Sequence, residues 1–323
     1  LLVKWGTLEI GGAVRTTQYA SIGAVLAENA SLVVRAGGSL TAASDLNIGD
    51  TGNAIDTAAG TLLLQDGGQI TVESAGGFFV GSGFFANTKA SGSVTQTGGT
   101  LTVNAGFDGG FVIGGRNSSL PVGIYHLDGG AVIANTNLQV GGRGTGTIEQ
   151  TGGSLTANGF VAIGRHTASV GAWIVEGGSL TQAGTSRRLI VGEAGTGSLS
   201  VAGTGRVTLD GPLQLAALST ATGTVSLEGG ILTAPRISKG TGTAAWSFDG
   251  GVLRAGASSS VFMQGLSQAT VAAGGALIDT QNFSITIAQP LLHASDLAGA
   301  DGGLIKRGSG SLTLTAANSY TGT

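Results

Sequence analysis

Short runs of alternating hydrophobic and polar residues make up most of this chain, and pairs of glycines separate the runs. Thr147-Ile148-Glu149-Gln150 and Thr224-Val225-Ser226-Leu227 are examples. Alternation with a period of two is typical of a β-strand that has one buried face. The pattern therefore predicts many short strands joined by tight turns.

The glycine pairs recur at intervals of 21 to 31 residues, which is the range of repeat lengths found in solenoid proteins. A sharp bend that repeats in register leaves little room for a Cβ atom and often needs a positive φ, so glycine suits it. We expect corners at nine of these pairs: Gly37 and Gly38, Gly67 and Gly68, Gly98 and Gly99, Gly129 and Gly130, Gly152 and Gly153, Gly177 and Gly178, Gly229 and Gly230, Gly250 and Gly251, Gly274 and Gly275.

A column of aliphatic residues stands two positions after the second glycine of the pairs. If each repeat is one coil of a solenoid, each member lies over its counterpart in the next coil, roughly 4.8 Å away. We expect this column to form the core. Its members are Leu40, Ile70, Leu101, Val132, Leu155, Leu180, Leu232, Leu253, Leu277 and Ile305.

Each repeat contains three strand-like segments: one before the glycines, one after them, and one ending in Val-Gly or Ile-Gly, as at Ile113-Gly114. The predicted fold is all-β, a right-handed parallel β-helix (β-solenoid) of about 12 coils with roughly three strands per coil. The right hand follows from the rule for parallel crossovers. We interpret residues 1–323 as one continuous domain, a rod about 58 Å long at ~4.8 Å per coil.

Composition narrows the possible functions. Only 10% of the residues are charged and the mean hydropathy is +0.32, which is unlike a disordered chain. The net charge of −3 and the pI near 5.6 argue against a nucleic-acid partner. No apolar run approaches the ~18 residues of a membrane-spanning helix. The absence of cysteine disfavours a disulfide scaffold and is compatible with secretion.

Acidic residues precede several glycine pairs and could form a row for calcium or for acid–base hydrolysis. Thr97 and Thr151 interrupt the row, so we favour a solvated corner. The three histidines fall in unrelated positions of different repeats, which disfavours a metal site. We expect no catalytic, metal-binding or cofactor-binding residues. The acidic positions are Asp66, Asp128, Glu176, Glu228 and Asp249.

Two further sets of side chains are candidates, one for amide stacking along the axis and one for recognition of a ligand. Gln65, Gln96 and Gln150 precede glycine pairs, and we expect their amides to stack along the axis. Phe79, Phe84 and Phe85 adjoin the longest predicted loop. Exposed aromatic side chains suit recognition of glycans, so these three phenylalanines form a possible exposed recognition loop.

The final segment, residues 302–323, reads Gly-Gly-Leu-Ile-Lys-Arg-Gly-Ser-Gly-Ser-Leu-Thr-Leu and then Thr-Ala-Ala-Asn-Ser-Tyr-Thr-Gly-Thr. It resembles the autotransporter-associated β-strand repeat of bacterial passenger domains. Ala316 departs from that pattern, which commonly has glycine there. The resemblance implies export to the bacterial cell surface and a right-handed β-helical stalk, and it carries over no catalytic residues.

We therefore expect a non-enzymatic, extracellular or outer-membrane-surface structural solenoid, used as an adhesin-like stalk or passenger domain. Its expected partners are copies of itself, by axial or lateral stacking, or host or surface glycans or proteins. One alternative is a subunit of a self-assembling extracellular filament or sheath. Another is a polysaccharide-degrading β-helix enzyme, which requires acidic and basic residues along one groove. Because the chain starts and stops within repeats, we expect it to be a piece of a longer protein.

Overall fold

The structure is a computed structural model that describes residues 1–24, 29–51, 57–83, 88–106 and 110–322. Within these ranges the regular structure is entirely β-strand. The first strands are β1 (Leu2–Val3), β2 (Gly6–Ile10), β3 (Ala13–Thr16), β4 (Ala20–Ala24), β5 (Ala30–Val34), β6 (Ser39–Ala42), β7 (Leu46–Asp50), β8 (Thr57–Leu64), β9 (Gln69–Val72), β10 (Phe78–Val80), β11 (Lys89–Gln96) and β12 (Thr100–Val103).

The middle of the chain continues the repeat of three strands per coil. Its strands are β13 (Phe111–Ile113), β14 (Val122–Leu127), β15 (Ala131–Ala134), β16 (Leu138–Val140), β17 (Thr145–Gln150), β18 (Ser154–Ala157), β19 (Val161–Ile163), β20 (Val170–Val175), β21 (Ser179–Gln182), β22 (Leu189–Val191), β23 (Thr196–Ala202), β24 (Arg206–Leu209) and β25 (Leu213–Leu215).

The remaining strands complete the described chain. They are β26 (Thr222–Glu228), β27 (Ile231–Ala234), β28 (Ile237–Lys239), β29 (Thr243–Phe248), β30 (Val252–Ala255), β31 (Ser259–Met263), β32 (Gln268–Val271), β33 (Ala276–Asp279), β34 (Ile285–Ile287), β35 (Leu292–His293), β36 (Leu304–Arg307) and β37 (Leu312–Leu314).

Every third strand joins the same sheet, so the described strands form three parallel sheets. Sheet A contains 13 strands, from β1 to β37; sheet B contains 12, from β2 to β35; and sheet C contains 12, from β3 to β36. Side chains stack in register from coil to coil, as where Ile148 lies between Tyr125 and Trp173. The predicted parallel β-solenoid with three strands per coil is confirmed. Eleven steps between the strands of sheet B span roughly 53 Å at ~4.8 Å each.

The inward faces of the three sheets enclose one hydrophobic core. Eight members of the predicted aliphatic column lie in it, each no more than 2% exposed. Val207, in the coil whose glycine pair is interrupted by Thr204, occupies the same column and is also buried. The eight are Leu40, Ile70, Leu101, Val132, Leu155, Leu180, Leu232 and Leu253.

The other two predicted members do not point into the core. Ile278, which is fully buried, pairs with Leu253, whereas Leu277 is half-buried on the outer face. Leu253 stands two positions after Gly251, whereas its partner Ile278 stands three positions after Gly275. Because one extra residue follows the glycines here, counting from them selects the wrong side of the strand. Ile305 pairs with Leu277 on that outer face and is 45% exposed.

The predicted corner glycines serve two different purposes. In each of the nine pairs one glycine has a positive φ, as Gly153 does at 60°. Its companion is confined by the neighbouring coil: a Cβ atom on Gly152 would lie 2.2 Å from the carbonyl oxygen of Asp128. Both positions therefore need glycine, one for its backbone conformation and the other for space.

Candidate functional site

The outer face of sheet A is covered from β10 to β22, whereas the outer faces of strands in sheet C, such as that of Thr156, are half-exposed. In the three-residue strands β10, β13, β16, β19 and β22 every residue is buried. The segments before and after these strands fold over the sheet. The outward, covered residues, which we call the floor, are Phe79, Val112, Gln139, Ala162 and Ile190.

Arg116 covers one end of the floor. Its guanidinium carbon lies 4.1 Å from the centroid of the Phe79 ring, a cation–π distance. Its Nη1 donates to Asp45 Oδ2 at 2.6 Å, and both of these side chains are less than a quarter exposed. Asp45 Oδ1 accepts from the backbone N–H of Gly77, which fixes the carboxylate.

This arrangement corrects the expected role of Phe79. The side chain is fully buried rather than exposed, because it is the outward residue of β10, in register with Asn47 and Val112, and lies beneath Arg116. Phe84 and Phe85 lie outside the described residues. The possible recognition loop is therefore not formed by Phe79.

A second arginine–aromatic stack lies three coils away. The guanidinium carbon of Arg165 is 4.6 Å from the Phe160 ring centroid, and its Nη1 lies 3.3 Å from Glu193 Oε2. Together with Arg187 and Arg188, these residues line a concavity of about 290 Å³. Arg188 donates to Gln214 Oε1 at 2.9 Å. The concavity thus has three guanidinium groups against one carboxylate.

Basic residues also align along the axis beside sheet A. The backbone N–H of Arg143 donates to Gly115 and that of His166 donates to Gly142. Arg116, Arg143 and His166 therefore occupy equivalent positions in three successive coils, about 4.8 Å apart. Their sequence separations differ, so inspection of the sequence did not reveal this column.

The acidic residues of the predicted row lie on the opposite side, at the corner between sheets B and C, and all five are exposed. Asp128, Glu228 and Asp249 accept hydrogen bonds from a neighbouring coil or from their own strand. Asp128 Oδ1 accepts from Thr151 at 2.7 Å, and Asp249 Oδ1 accepts from the N–H of Gly274 at 2.6 Å. Among the described residues no group of three or more His, Cys, Asp or Glu side chains could hold a metal ion.

The three histidines remain apart. His126 Nδ1 lies 3.0 Å from Glu149 Oε2 in the next coil, and His293 Nδ1 lies 2.8 Å from Asp301 Oδ2 near the end of the chain. His166 belongs to the basic column.

The glutamines do not stack as predicted. Gln96 pairs with Leu64 rather than with Gln65, because the corner after β8 is one residue longer than the corner after β11. The side chain of Gln96 is fully buried and accepts a 2.5 Å hydrogen bond from the Tyr125 hydroxyl. Gln150 is also buried, and its amide donates to the carbonyl of Ser179 at 3.0 Å.

No known family, curated protein or solved structure matches this chain. The likeness of residues 302–323 to the autotransporter-associated repeat therefore stays a prediction based on those residues. The described residues include no helix that is long and apolar enough to cross a membrane.

Proposed function

We propose that this chain is a non-enzymatic structural solenoid, a stalk or passenger-domain rod at the bacterial cell surface or in a secreted protein. The observation that carries the proposal is the stacking of parallel strands in three sheets from Leu2 to Leu314, with one irregularity of register between β31 and β34. Parallel strand pairs join neighbouring coils through the backbone, and the side chains in the interior are mainly aliphatic and aromatic. Such an arrangement suits a rigid spacer better than a catalytic domain.

The distribution of charge supports a structural role over the polysaccharide-degrading alternative. Glycoside hydrolysis uses a pair of carboxyl groups on either side of one bond. The five carboxylates of the predicted row lie on an exposed corner, distributed over coils from Asp66 to Asp249. The covered floor of sheet A instead lies among arginines, of which Arg116 and Arg165 are paired with carboxylates.

Two measurements on the purified chain test the proposal. Electron microscopy is expected to show discrete rods with a length of roughly 53 Å for the described coils. Incubation with neutral, uronate-containing and sulfated polysaccharides is expected to release no reducing ends. The structural role would be rejected if one of these polymers were cleaved and the cleavage were lost on mutation of an Asp or Glu of this chain.

The filament alternative has one observation in its favour. The first described coil presents Leu2, Trp5 and Tyr19 with 46%, 73% and 53% of their surfaces exposed, beside the open edges of three sheets. A second copy, or a further coil of a longer chain, would cover this surface. Concentration-dependent growth of long fibres in the microscope would favour the filament, whereas rods of one length would exclude it.

A further inference from the structure

The concavity of about 290 Å³ beside strands β19 and β22 combines an apolar base with a basic rim. Ile190 of the floor lines its base and is 8% exposed. The carbonyl of Arg188 accepts from the N–H of Val161 at 3.1 Å, which places Arg188 next to Phe160 in the following coil. The concavity therefore spans two coils, with an aromatic ring from one and a guanidinium group from the next.

Positive charge exceeds negative charge among the residues described around this concavity. Glu193 is the one acidic side chain that lines it, and Glu193 lies 3.3 Å from Arg165. Arg188 donates to a neutral amide, Gln214 Oε1, at 2.9 Å. Arg187 is exposed, and its guanidinium has no hydrogen bond or ion pair with any described residue. Three guanidinium groups and one carboxylate leave two uncompensated positive charges, in a chain whose net charge is −3.

The guanidinium of Arg165 is fixed before any ligand binds. It stacks 4.6 Å from the centroid of the Phe160 ring, and its Nη1 is paired with Glu193. The side chain of Arg165 is only 14% exposed, so its charge is poorly screened by water. A side chain that is already ordered loses little entropy when a ligand binds. Arg165 thus provides a fixed positive charge, while Arg187 and Arg188 provide exposed donors.

Basic side chains continue along the axis on both sides of the concavity. Arg143 follows β16, one coil before β19, and is exposed. The N–H groups of Leu189 and Leu213 each donate to the residue that precedes the next strand of sheet A. Arg236, also exposed, therefore occupies the position of Arg188 two coils further on, roughly 10 Å away. A ligand that carries negative charge at intervals along its length fits this arrangement.

The chemistry of the lining residues favours an acidic polysaccharide over a nucleic acid. Arginine binds oxyanions through paired N–H groups, which suits the carboxylate and sulfate groups of acidic sugars. Single-stranded nucleic acids are bound by aromatic side chains on which the bases stack. Phe160 is the one aromatic residue among the described residues that line the concavity, and Arg165 stacks on its ring.

We propose that this concavity, which we call the arginine site, binds one acidic sugar unit of a linear polysaccharide through its carboxylate or sulfate group. Arg187 and Arg188 donate to the anionic oxygens, Arg165 adds a fixed charge, and Ile190 contacts the apolar part of the sugar ring. Ligand pockets have volumes of about 300–1,000 Å³, so the concavity is large enough for a single unit of the polymer. The inference adds a ligand to the proposed structural role and does not depend on it.

Isothermal titration calorimetry with four polymers tests the arginine site. They are polygalacturonate, which carries carboxylates, dextran sulfate, which carries sulfates, neutral dextran, and an oligothymidylate. In about 0.15 M salt, where exposed charges are partly screened, the wild-type chain is expected to bind one or both acidic polysaccharides and not dextran. The polymer that binds identifies the anionic group. Absence of binding to both acidic polysaccharides would overturn the proposal, and so would tighter binding of the oligothymidylate.

A chain that carries both Arg187→Gln and Arg188→Gln is expected to bind the acidic polysaccharide at least about tenfold more weakly, because charge-assisted hydrogen bonds are lost. The matched control carries Lys89→Gln and Arg206→Gln, which remove two positive charges from exposed positions of sheets B and C. The control is expected to bind as the wild type does. Equal affinities of the two double variants would overturn the proposal, since binding would then follow net charge or occur elsewhere.

Glu193→Gln gives a change in the opposite direction and decides the question if the arginine double variant does not fold. It removes the one carboxylate that lines the concavity and keeps a side chain that can accept a hydrogen bond. We expect it to tighten binding of the acidic polysaccharide severalfold, because a like charge no longer repels the ligand. Unchanged affinity would mean that the polymer binds away from the arginine site.

Discussion

The imidazole of His293 and the carboxylate of Asp301 are joined by a 2.8 Å hydrogen bond between Nδ1 and Oδ2. Asp301 also accepts from the backbone N–H groups of Gly303, Thr321 and Gly322 at 2.8–2.9 Å. The carboxylate thus attaches the last residues of the chain to the preceding coil. These residues belong to the segment that resembles the autotransporter-associated repeat, so Asp301 explains how that segment packs here.

Replacing Asp301 with Asn should detach the end of the chain. The amide offers one acceptor oxygen in place of two, so backbone donors of Thr321 or Gly322 lose their partner at a cost of order 1 kcal/mol. Amide hydrogen exchange is the measurement, and faster exchange at Thr321 and Gly322 with unchanged exchange in β17 is the expected result. Equal protection in the variant and the wild type would show that Asp301 does not hold the segment.

The same contact should depend on pH. The hydrogen bond to Asp301 is the main cause that raises the pKa of His293 above 6.5. Burial raises the pKa of Asp301, but the N–H of Gly322, His293 and the N–H groups of Thr321 and Gly303 outweigh it and hold that pKa well below 3.8.

The sign follows from these two directions. The stabilisation due to His293 is fully present below about pH 6.5 and is lost as the pH rises through its raised folded pKa. The stabilisation due to Asp301 is present above about pH 3.8 and is lost as the pH falls through its lowered folded pKa. Titration of the His293 ring by NMR should give a pKa above the ordinary value, and Asp301→Asn should lower it. A pKa at or below 6.5 in the wild type would contradict the contact.

Substitution of Gly152 tests the need for space at the corners. Its Cβ would lie 2.2 Å from the Asp128 carbonyl oxygen, whereas a Cβ on Gly12 meets nothing within 4 Å. Gly152→Ala should therefore cost about 1–3 kcal/mol, and Gly12→Ala should change stability by less than about 0.5 kcal/mol. Denaturant unfolding compares the two. Similar effects at both positions would show that the corners tolerate side chains.

The register of β33 predicts different effects for substitutions at the two adjacent residues Leu277 and Ile278. Ile278 is fully buried and Leu277 is half-buried on the outer face. Ile278→Ala should destabilise the chain by about 2–5 kcal/mol, while Leu277→Ala should cost about 1 kcal/mol or less. Thermal unfolding of the two variants is the measurement. A larger loss for Leu277→Ala would mean that β33 has the register expected from the glycine count.

The buried hydrogen bond between Tyr125 and Gln96 should behave as a coupled pair. Tyr125→Phe leaves Gln96 Oε1 without that donor in the core, which should cost about 1–3 kcal/mol. Replacing Gln96 by Met in the same chain removes the unsatisfied oxygen and should recover part of the loss. A double-mutant cycle measures the coupling. Additive effects of the two substitutions would show that the bond contributes nothing specific.

Local patterns of the sequence predicted some features well and others poorly. The strand alternation and the glycine pairs predicted the coils, and eight members of the aliphatic column lie in the core. Leu277, Ile305 and Gln96 were misplaced because the corners between strands differ in length, and each extra residue reverses the face that a side chain occupies. The column of Arg116, Arg143 and His166 involves residues with irregular spacing, so no periodic pattern marked it.

By itself, the sequence determined that this protein is a stack of three-stranded coils turning at glycines. This follows because alternation and positive φ are properties of a few adjacent residues. Only the tertiary structure decided which side chains meet across coils: that Arg116 covers Phe79, that Asp301 holds the end of the chain, and that Asn47, Asp50 and Ser82 gather at one corner. Those contacts depend on the register between segments roughly 20 to 40 residues apart, which is set by the lengths of all the loops between them.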